Sequence, residues 1–405
     1  MTQTQSQAQP PATQPPLSLT AFFSLGFRPF FLLAALWAAL AMLLWIGALT
    51  VAFTLPTAFD PVSWHAHEFL FGYLGAVIAG FLLTAVPNWT GRPPLQGAPL
   101  AALVGAWLIG RIAVTTSLYW PAILVAVLDL IFLCALAVLV LREIIAGRNW
   151  RNLIVVGMLA LLILGNLAFH IEAAEGAFAA QGYGLRLGLA AGVMMIAVIG
   201  GRIIPAFTRN WLMKRGAGRL PTPPMARFDV VALLVLLLAL LAWVARPDQS
   251  LTAAALILAG LLHIWRLMRW AGERTLSEPL MWVLHLAYVF VPAGALAIGI
   301  AGLTGAYSAT IAAQHLWMAG ALGLMTLAVM TRASLGHTGR PLVAGLGSTL
   351  SYLLILASVA LRVAVWFAPD AASSLHALSA LFWIAGFGLF ALHFAPLMLR
   401  PRPNT

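Results

Sequence analysis

The stretch WHAHEFLFGYLGAVIAGFLLTAV, residues 64–86, decides how this chain folds. It opens with two histidines and a glutamate, and it continues as an apolar run long enough to cross a lipid bilayer as a helix. Polar side chains are costly in hydrocarbon, so those that remain there are usually paired, bound to a metal or facing water. The stretch therefore predicts a membrane-spanning helix with a functional site at its beginning.

The whole chain has the composition of an integral membrane protein. Of its 405 residues, 62% are apolar and 8% are charged, whereas about a quarter of the residues of soluble domains are charged. Lipid cannot satisfy free backbone groups, so the recurring apolar runs must cross the bilayer as helices. We predict an all-α polytopic membrane protein with twelve transmembrane helices. Their expected bounds are 27–49, 64–86, 98–115, 118–140, 152–171, 184–204, 228–246, 250–269, 279–301, 309–331, 342–367 and 374–397.

The beginning of the chain differs from the rest. Residues 1–19 are rich in Gln, Pro, Thr and Ser and carry no charged side chain, a composition that cannot bury a core. We predict that residues 1–19 form a disordered cytoplasmic tail. Residues 20–400 are expected to form a single transmembrane domain of twelve helices.

The basic residues predict the orientation of the helices in the membrane. The chain has 22 Lys and Arg against 11 acidic residues. When both termini are placed on one side, only Arg111, Arg186, Arg246 and Arg362 fall on the other, which leaves 18 of 22 (22 − 4). The positive-inside rule makes the basic side the cytoplasm. The basic excess is thus a topology signal, and no nucleic-acid partner is predicted.

The second and tenth spans repeat each other. A histidine precedes an arginine by 25 positions in both, from His67 to Arg92 (92 − 67) and from His315 to Arg340 (340 − 315). Weaker matches at an offset of 130 join the sixth span to the tenth and the eighth to the twelfth. Repeats at fixed spacing indicate repeated structural units. We predict three repeats of four helices related by pseudo-threefold symmetry.

The nine histidines are expected in two layers. Neutral imidazole is a common metal ligand, and helix bundles build cofactor sites from inward-facing ligands. The predicted outer layer contains His65, His67, His170, His315 and His376, and the inner layer contains His263, His285, His337 and His393. Residues two apart on a helix point about 200° apart, so His65 and His67 should serve different sites. We expect His67 and His315 to face each other across the bundle axis and hold a haem iron.

Other side chains complete the set of candidates. His170, His376 and His285 are further candidate metal ligands, and Glu68 and Asp129 are candidate proton-relay groups. Arg111 and Arg362 are candidate partners of haem propionates, because guanidinium binds carboxylate in a bidentate manner. The alternatives are a structural hydrogen bond for Asp129 and interfacial snorkelling for the arginines. The single cysteine, Cys134, leaves no covalent haem motif, so a haem would be held non-covalently, as b-type haem.

Four motifs of the chain are distinctive: SLGFRPFF (24–31), WHAHE (64–68), GGRIIPAFT (200–208) and GHTGRP (336–341). Together they resemble the NnrS family, and the likeness extends from about residue 20 to the end. The resemblance implies a bacterial inner-membrane protein that contains haem and copper, expressed under nitric-oxide control and linked to denitrification and tolerance of nitrosative stress.

The architecture also looks like the catalytic subunit of haem-copper oxidases and nitric-oxide reductases. In those enzymes the active-site metal takes histidines from spans six and seven, which contain none here. Copper would therefore need His170, His376 or the spare member of the pair His65 and His67.

These observations lead to one main expectation about function. We expect a haem- and copper-binding protein that binds or turns over nitric oxide near the periplasmic side, which makes it a possible oxidoreductase with an unknown electron donor. A transporter of copper, haem or an anion along a histidine-lined pathway is one alternative. A haem-based sensor without turnover is another.

Overall fold

The computed structural model describes residues 16–401, and within them twelve helices are long and apolar enough to cross a membrane. The predicted all-α, twelve-span organisation is confirmed. Residues 1–15, most of the predicted tail, lie outside the described part, and Leu19 begins a short helix, Leu19–Phe22. The spans are α1 (Phe27–Leu49), α2 (Pro61–Thr90), α3 (Ala98–Thr115), α4 (Ala122–Ala146), α5 (Trp150–Ala174), α6 (Tyr183–Leu212), α7 (Arg227–Ala245), α8 (Ser250–Met268), α9 (Pro279–Thr304), α10 (Ala309–His337), α11 (Leu346–Phe367) and α12 (Pro369–Leu399). We call the two ends of the bundle outer and inner, after the predicted topology.

Helices α2, α6 and α10 form the centre of the bundle. They are the most completely buried of the twelve spans in the described chain. Each contains a π-helical segment, at Glu68–Tyr73, Ile196–Gly200 and Leu316–Leu324. Such segments are rare and are frequent at functional sites. The second, sixth and tenth helices, which the predicted repeats relate to one another, therefore share a backbone irregularity.

The π-helical segments offer backbone carbonyls to neighbouring helices, because a wide turn interrupts the regular hydrogen-bond ladder. The indole of Trp107 on α3 donates to the carbonyl of Gly72, at 2.9 Å. The buried guanidinium of Arg266 on α8 donates to the carbonyl of Ala197, at 2.8 Å. Its Nε donates to Asp229 of α7, at 2.9 Å. Buried polar side chains of the surrounding helices thus anchor the three central helices.

Glycines bring α5 and α6 into close backbone contact. A Cβ atom added at Gly165 would lie 2.7 Å from the amide nitrogen of Gly188, and one added at Gly184 would lie 2.3 Å from that of Phe169. Small residues of this kind let transmembrane helices approach closely. The contact fixes the distance between α5 and the central helix α6.

Candidate metal and cofactor sites

Helix α2 begins before its two histidines. The carboxylate of Asp60 accepts hydrogen bonds from the amides of Val62 and Ser63, at 3.0 and 2.9 Å, and so caps the first turn. His65 and His67 consequently lie on regular helix and project in different directions. They belong to two separate groups of residues, which we call the histidine cavity and the ion cluster.

The ion cluster is buried between four helices near the outer end. All of its members are less than 9% exposed, and each forms at least one hydrogen bond to another member. The cluster consists of His67 and Glu68 on α2, Arg111 on α3, Asp129 on α4, and Asn166 and His170 on α5.

Arg111 holds the two carboxylates of the cluster together. Its Nη1 donates to Oε1 of Glu68 at 2.6 Å, and its Nη2 donates to Oδ1 of Asp129. The second oxygen of Glu68 accepts from the indole of Trp37, at 2.8 Å. Buried charges are tolerated when they are paired and fully hydrogen-bonded. The expectation that Arg111 binds a propionate is therefore corrected, because protein carboxylates occupy this guanidinium.

His67 lies between three polar partners of the ion cluster. Its Nδ1 is 3.2 Å from Oε1 of Glu68. Its Nε2 is 2.9 Å from Oδ1 of Asn166 and 3.2 Å from Oδ2 of Asp129. Nε2 of His170 lies 3.1 Å from the same Asp129 oxygen.

His67, Asp129 and His170 have the geometry of a metal site. Each offers one ligand atom, and these atoms lie within 4.8 Å of one another. No other group of three such residues is found in the described range 16–401. Two imidazoles and a carboxylate suit several transition metals, copper among them. The placement of Glu68 at Nδ1 of His67 resembles the carboxylates that orient metal-bound histidines.

The histidine cavity lies on the other side of α2. It has a volume of about 130 Å³. Most of its lining is apolar and aromatic, and the ring of Trp45 stacks on His65 with centroids 4.1 Å apart. Three histidines and an arginine also line the cavity: His65 on α2, His315 on α10, Arg362 on α11 and His376 on α12.

Several polar atoms of the histidine cavity lack partners. Nδ1 of His65, Nε2 of His376 and Nε of Arg362 are buried without a hydrogen bond. Buried polar atoms are normally satisfied, so unpaired ones call for an explanation such as a missing ligand.

His315 has a defined tautomer. Its Nδ1 is 2.7 Å from the backbone carbonyl of Ile311. A carbonyl only accepts hydrogen bonds, so Nδ1 carries the proton and the lone pair of a neutral ring is on Nε2. A backbone partner on the first nitrogen is the usual way in which a metal-binding histidine is oriented.

The predicted pairing of His67 with His315 is wrong. The structure places His65 beside His315 in the cavity, and His67 in the ion cluster with His170. The reason is that the two α2 histidines diverge, and the carboxylate of Asp129 lies on the side of His67. His376 also lines the cavity, although the predicted repeats relate it to neither His65 nor His315.

His285 belongs to neither site. Its Nε2 is 2.8 Å from the hydroxyl of Thr208, in the inner layer. Sequence reasoning also missed Asn166, which contacts both His67 and Asp129. The signal was present, because an amide in the middle of a membrane span is costly unless it has partners.

Comparison with known proteins covers nearly the whole chain. A family described as NnrS protein matches residues 21–402. No curated protein matches the chain. The matched region includes every residue of the ion cluster and of the histidine cavity.

Proposed function

This chain belongs to the NnrS family, and from that premise we propose that it is a haem- and copper-binding protein of nitric-oxide metabolism. The haem is assigned to the histidine cavity, and copper to the ion cluster. The observation that carries the proposal is the set of unpartnered buried nitrogens in the cavity, on His65, His376 and Arg362.

The residues of the histidine cavity suit a haem. The imidazoles of His65, His315 and His376 are the candidate ligands, and Arg362 supplies a cation for a propionate. The side chains of Met42 and Met318 also line the cavity, and methionine adapts readily to the shape of a bound group. A bound haem supplies an iron that binds nitric oxide and exchanges electrons.

The ion cluster suits a copper ion. Asp129 uses Oδ1 for Arg111, whereas its Oδ2 faces His67 and His170 and accepts a hydrogen bond from Asn166 at 2.7 Å. A metal at Oδ2 would replace the hydrogen bond from Asn166. The carboxylate can therefore bind a metal without releasing the guanidinium. Glu68 orients His67 and, with Asp129, provides carboxylate acceptors for a proton within the ion cluster.

Nitric oxide, the proposed substrate, can reach both sites without a water-filled channel. Nitric oxide is small and uncharged, so it enters apolar surroundings without the cost that an ion pays. Aromatic rings border both sites, with Trp45 stacked on His65 and Phe59 and Phe71 beside His67. The protein is thus suited to bind or convert nitric oxide within the membrane.

The test measures haem and copper in purified variants. His65→Ala and His315→Ala should abolish the Soret band and the pyridine haemochrome signal, because each removes a candidate ligand. His170→Ala should remove copper and retain haem. The matched control is His393→Ala, an exposed histidine of the inner layer. Unchanged haem in both cavity variants, with size-exclusion profiles like the wild type, would rule out the assignment.

A further inference from the structure

Three cavities follow one another along the axis between α2, α6 and α10. The middle cavity is lined by these three helices alone. It shares Leu74 and Leu322 with the histidine cavity. It shares Phe81, Ile203 and Val329 with a third cavity, which lies at the inner end. A few side chains therefore separate the inner end of the bundle from the candidate haem site.

The inner cavity lies where the repeated sequence motifs meet. Asn88 and Trp89 come from the end of α2, Phe207 from α6, and Gly336 and His337 from the end of α10. The volume of this cavity is about 360 Å³. The inner ends of the three central helices thus line a cavity that neither candidate cofactor site uses.

The middle cavity is apolar. Thr326 is its one lining residue with a polar side chain. The hydroxyl of Thr326 is 2.6 Å from that of Tyr73 and also bonds to the carbonyl of Leu322. An ion would find no ligand here, whereas apolar cavities of about 150 Å³ stay dry and bind xenon or benzene. With about 80 Å³, this cavity is suited to a molecule of few atoms.

Side-chain ends form the partition between the middle cavity and the histidine cavity. A Cβ atom added at Gly192 would lie 3.0 Å from Cδ2 of Leu322 and 3.2 Å from Cδ2 of Leu74. Glycine at this position therefore leaves both leucines space to move.

We propose that this axis is a conduit for a small uncharged gas between the inner end and the histidine cavity. The identity of the gas, nitric oxide, rests on the proposed function. The apolar middle section excludes ions, and the leucine partition passes a diatomic molecule when a side chain rotates. The conduit would be the main supply of the site and would lead to it from the inner side of the membrane.

Xenon is the probe for the first test, because its binding does not depend on haem. Crystals of the full-length protein under xenon pressure should show xenon in the middle cavity. Val329→Phe fills the boundary between the middle and inner cavities and should abolish this site. The matched control, Val138→Phe, changes a residue that is 65% exposed on α4 and should retain it. Absence of xenon from the wild-type cavity, or equal occupancy in Val329→Phe, would overturn the proposal.

The second test measures the arrival of nitric oxide. Gly192→Ala crowds the leucine partition with a single carbon, so it provides a milder change if Val329→Phe does not fold. Both variants should slow nitric-oxide binding to haem-loaded protein severalfold, and Val138→Phe should not. Unchanged rates in a variant that has lost xenon would refute the conduit. Failure to load haem would count against the proposed function alone, since the xenon result stands without it.

Discussion

At the residue scale, the ion cluster shows how a membrane protein retains charge in its interior. Arg111 neutralises part of the charge of Glu68 and Asp129, and Asn166 and His170 satisfy the remaining lone pairs of Asp129. Such a network contributes little net stability when complete. Loss of one member is costly, because its partners stay buried.

Arg111→Met should destabilise the protein strongly. The change leaves two carboxylates buried without their cation, and breaking a buried pair costs about 3–5 kcal/mol. Thermal unfolding in detergent measures the effect. The control is Arg219→Met. The side chains of Arg219 and its partner Glu273 are 54% and 58% exposed, so their ion pair should stabilise the fold by about 0–1 kcal/mol. Equal midpoints for both variants would show that the cluster is not tightly coupled.

At the element scale, the close contact of α5 with α6 determines the position of two members of the ion cluster. Asn166 and His170 follow Gly165 on the same helix, and Gly165 touches the backbone of Gly188. The position of α5 is thus set by backbone packing rather than by the polar side chains that it carries.

Gly165→Ala should push α5 away from α6. The added methyl would overlap with the backbone of Gly188, and overpacking costs about 1–3 kcal/mol. A lower midpoint of thermal unfolding and reduced copper retention are expected. Gly157→Ala on the same helix is the control, since no atom lies within 4 Å of its added Cβ. A wild-type midpoint for Gly165→Ala would mean that the helices separate freely.

The helices themselves follow from the sequence, whereas the contacts between them do not. Apolar runs predict the number and approximate bounds of the spans. Residues two apart on a helix point about 200° apart, and this angle separates His65 from His67. Which histidine meets His315 depends on the rotation of α2 and α10 about their axes. Both helices contain π-helical segments, which shift side-chain directions and have no reliable signal in a single sequence.

The ion cluster could have been partly anticipated. Charged groups within membrane spans are usually paired, and Arg111 and Asp129 lie on consecutive predicted helices. The contribution of Glu68 was harder to foresee, because it requires the direction of a third helix.

At the scale of the whole molecule, the repeats place different chemistry at equivalent positions. The third helix of the first and last repeats carries an arginine near its outer end, Arg111 on α3 and Arg362 on α11. Arg111 is paired with carboxylates, whereas Arg362 lies among histidines in the cavity. The two arginines thus belong to a charged site in one predicted repeat and to a neutral-donor site in another.

The predicted topology can be tested with single cysteines in a Cys134→Ala background. Leu118→Cys, in the connection after α3, should react with a membrane-impermeant maleimide in intact spheroplasts. Arg215→Cys, in the basic connection after α6, should react only after the membrane is opened. The positive-inside rule is the physical basis of this expectation. The reverse labelling pattern would place both cofactor sites on the cytoplasmic side.

One turn of α2 carries both His65 and His67, so a single short segment of backbone connects the two sites. The two rings project from opposite flanks of a stiff segment that Asp60 caps at one end. A rotation that withdraws one ring from its neighbours swings the other in the opposite sense. A displacement of this turn would therefore move both rings, because they share a single short piece of backbone.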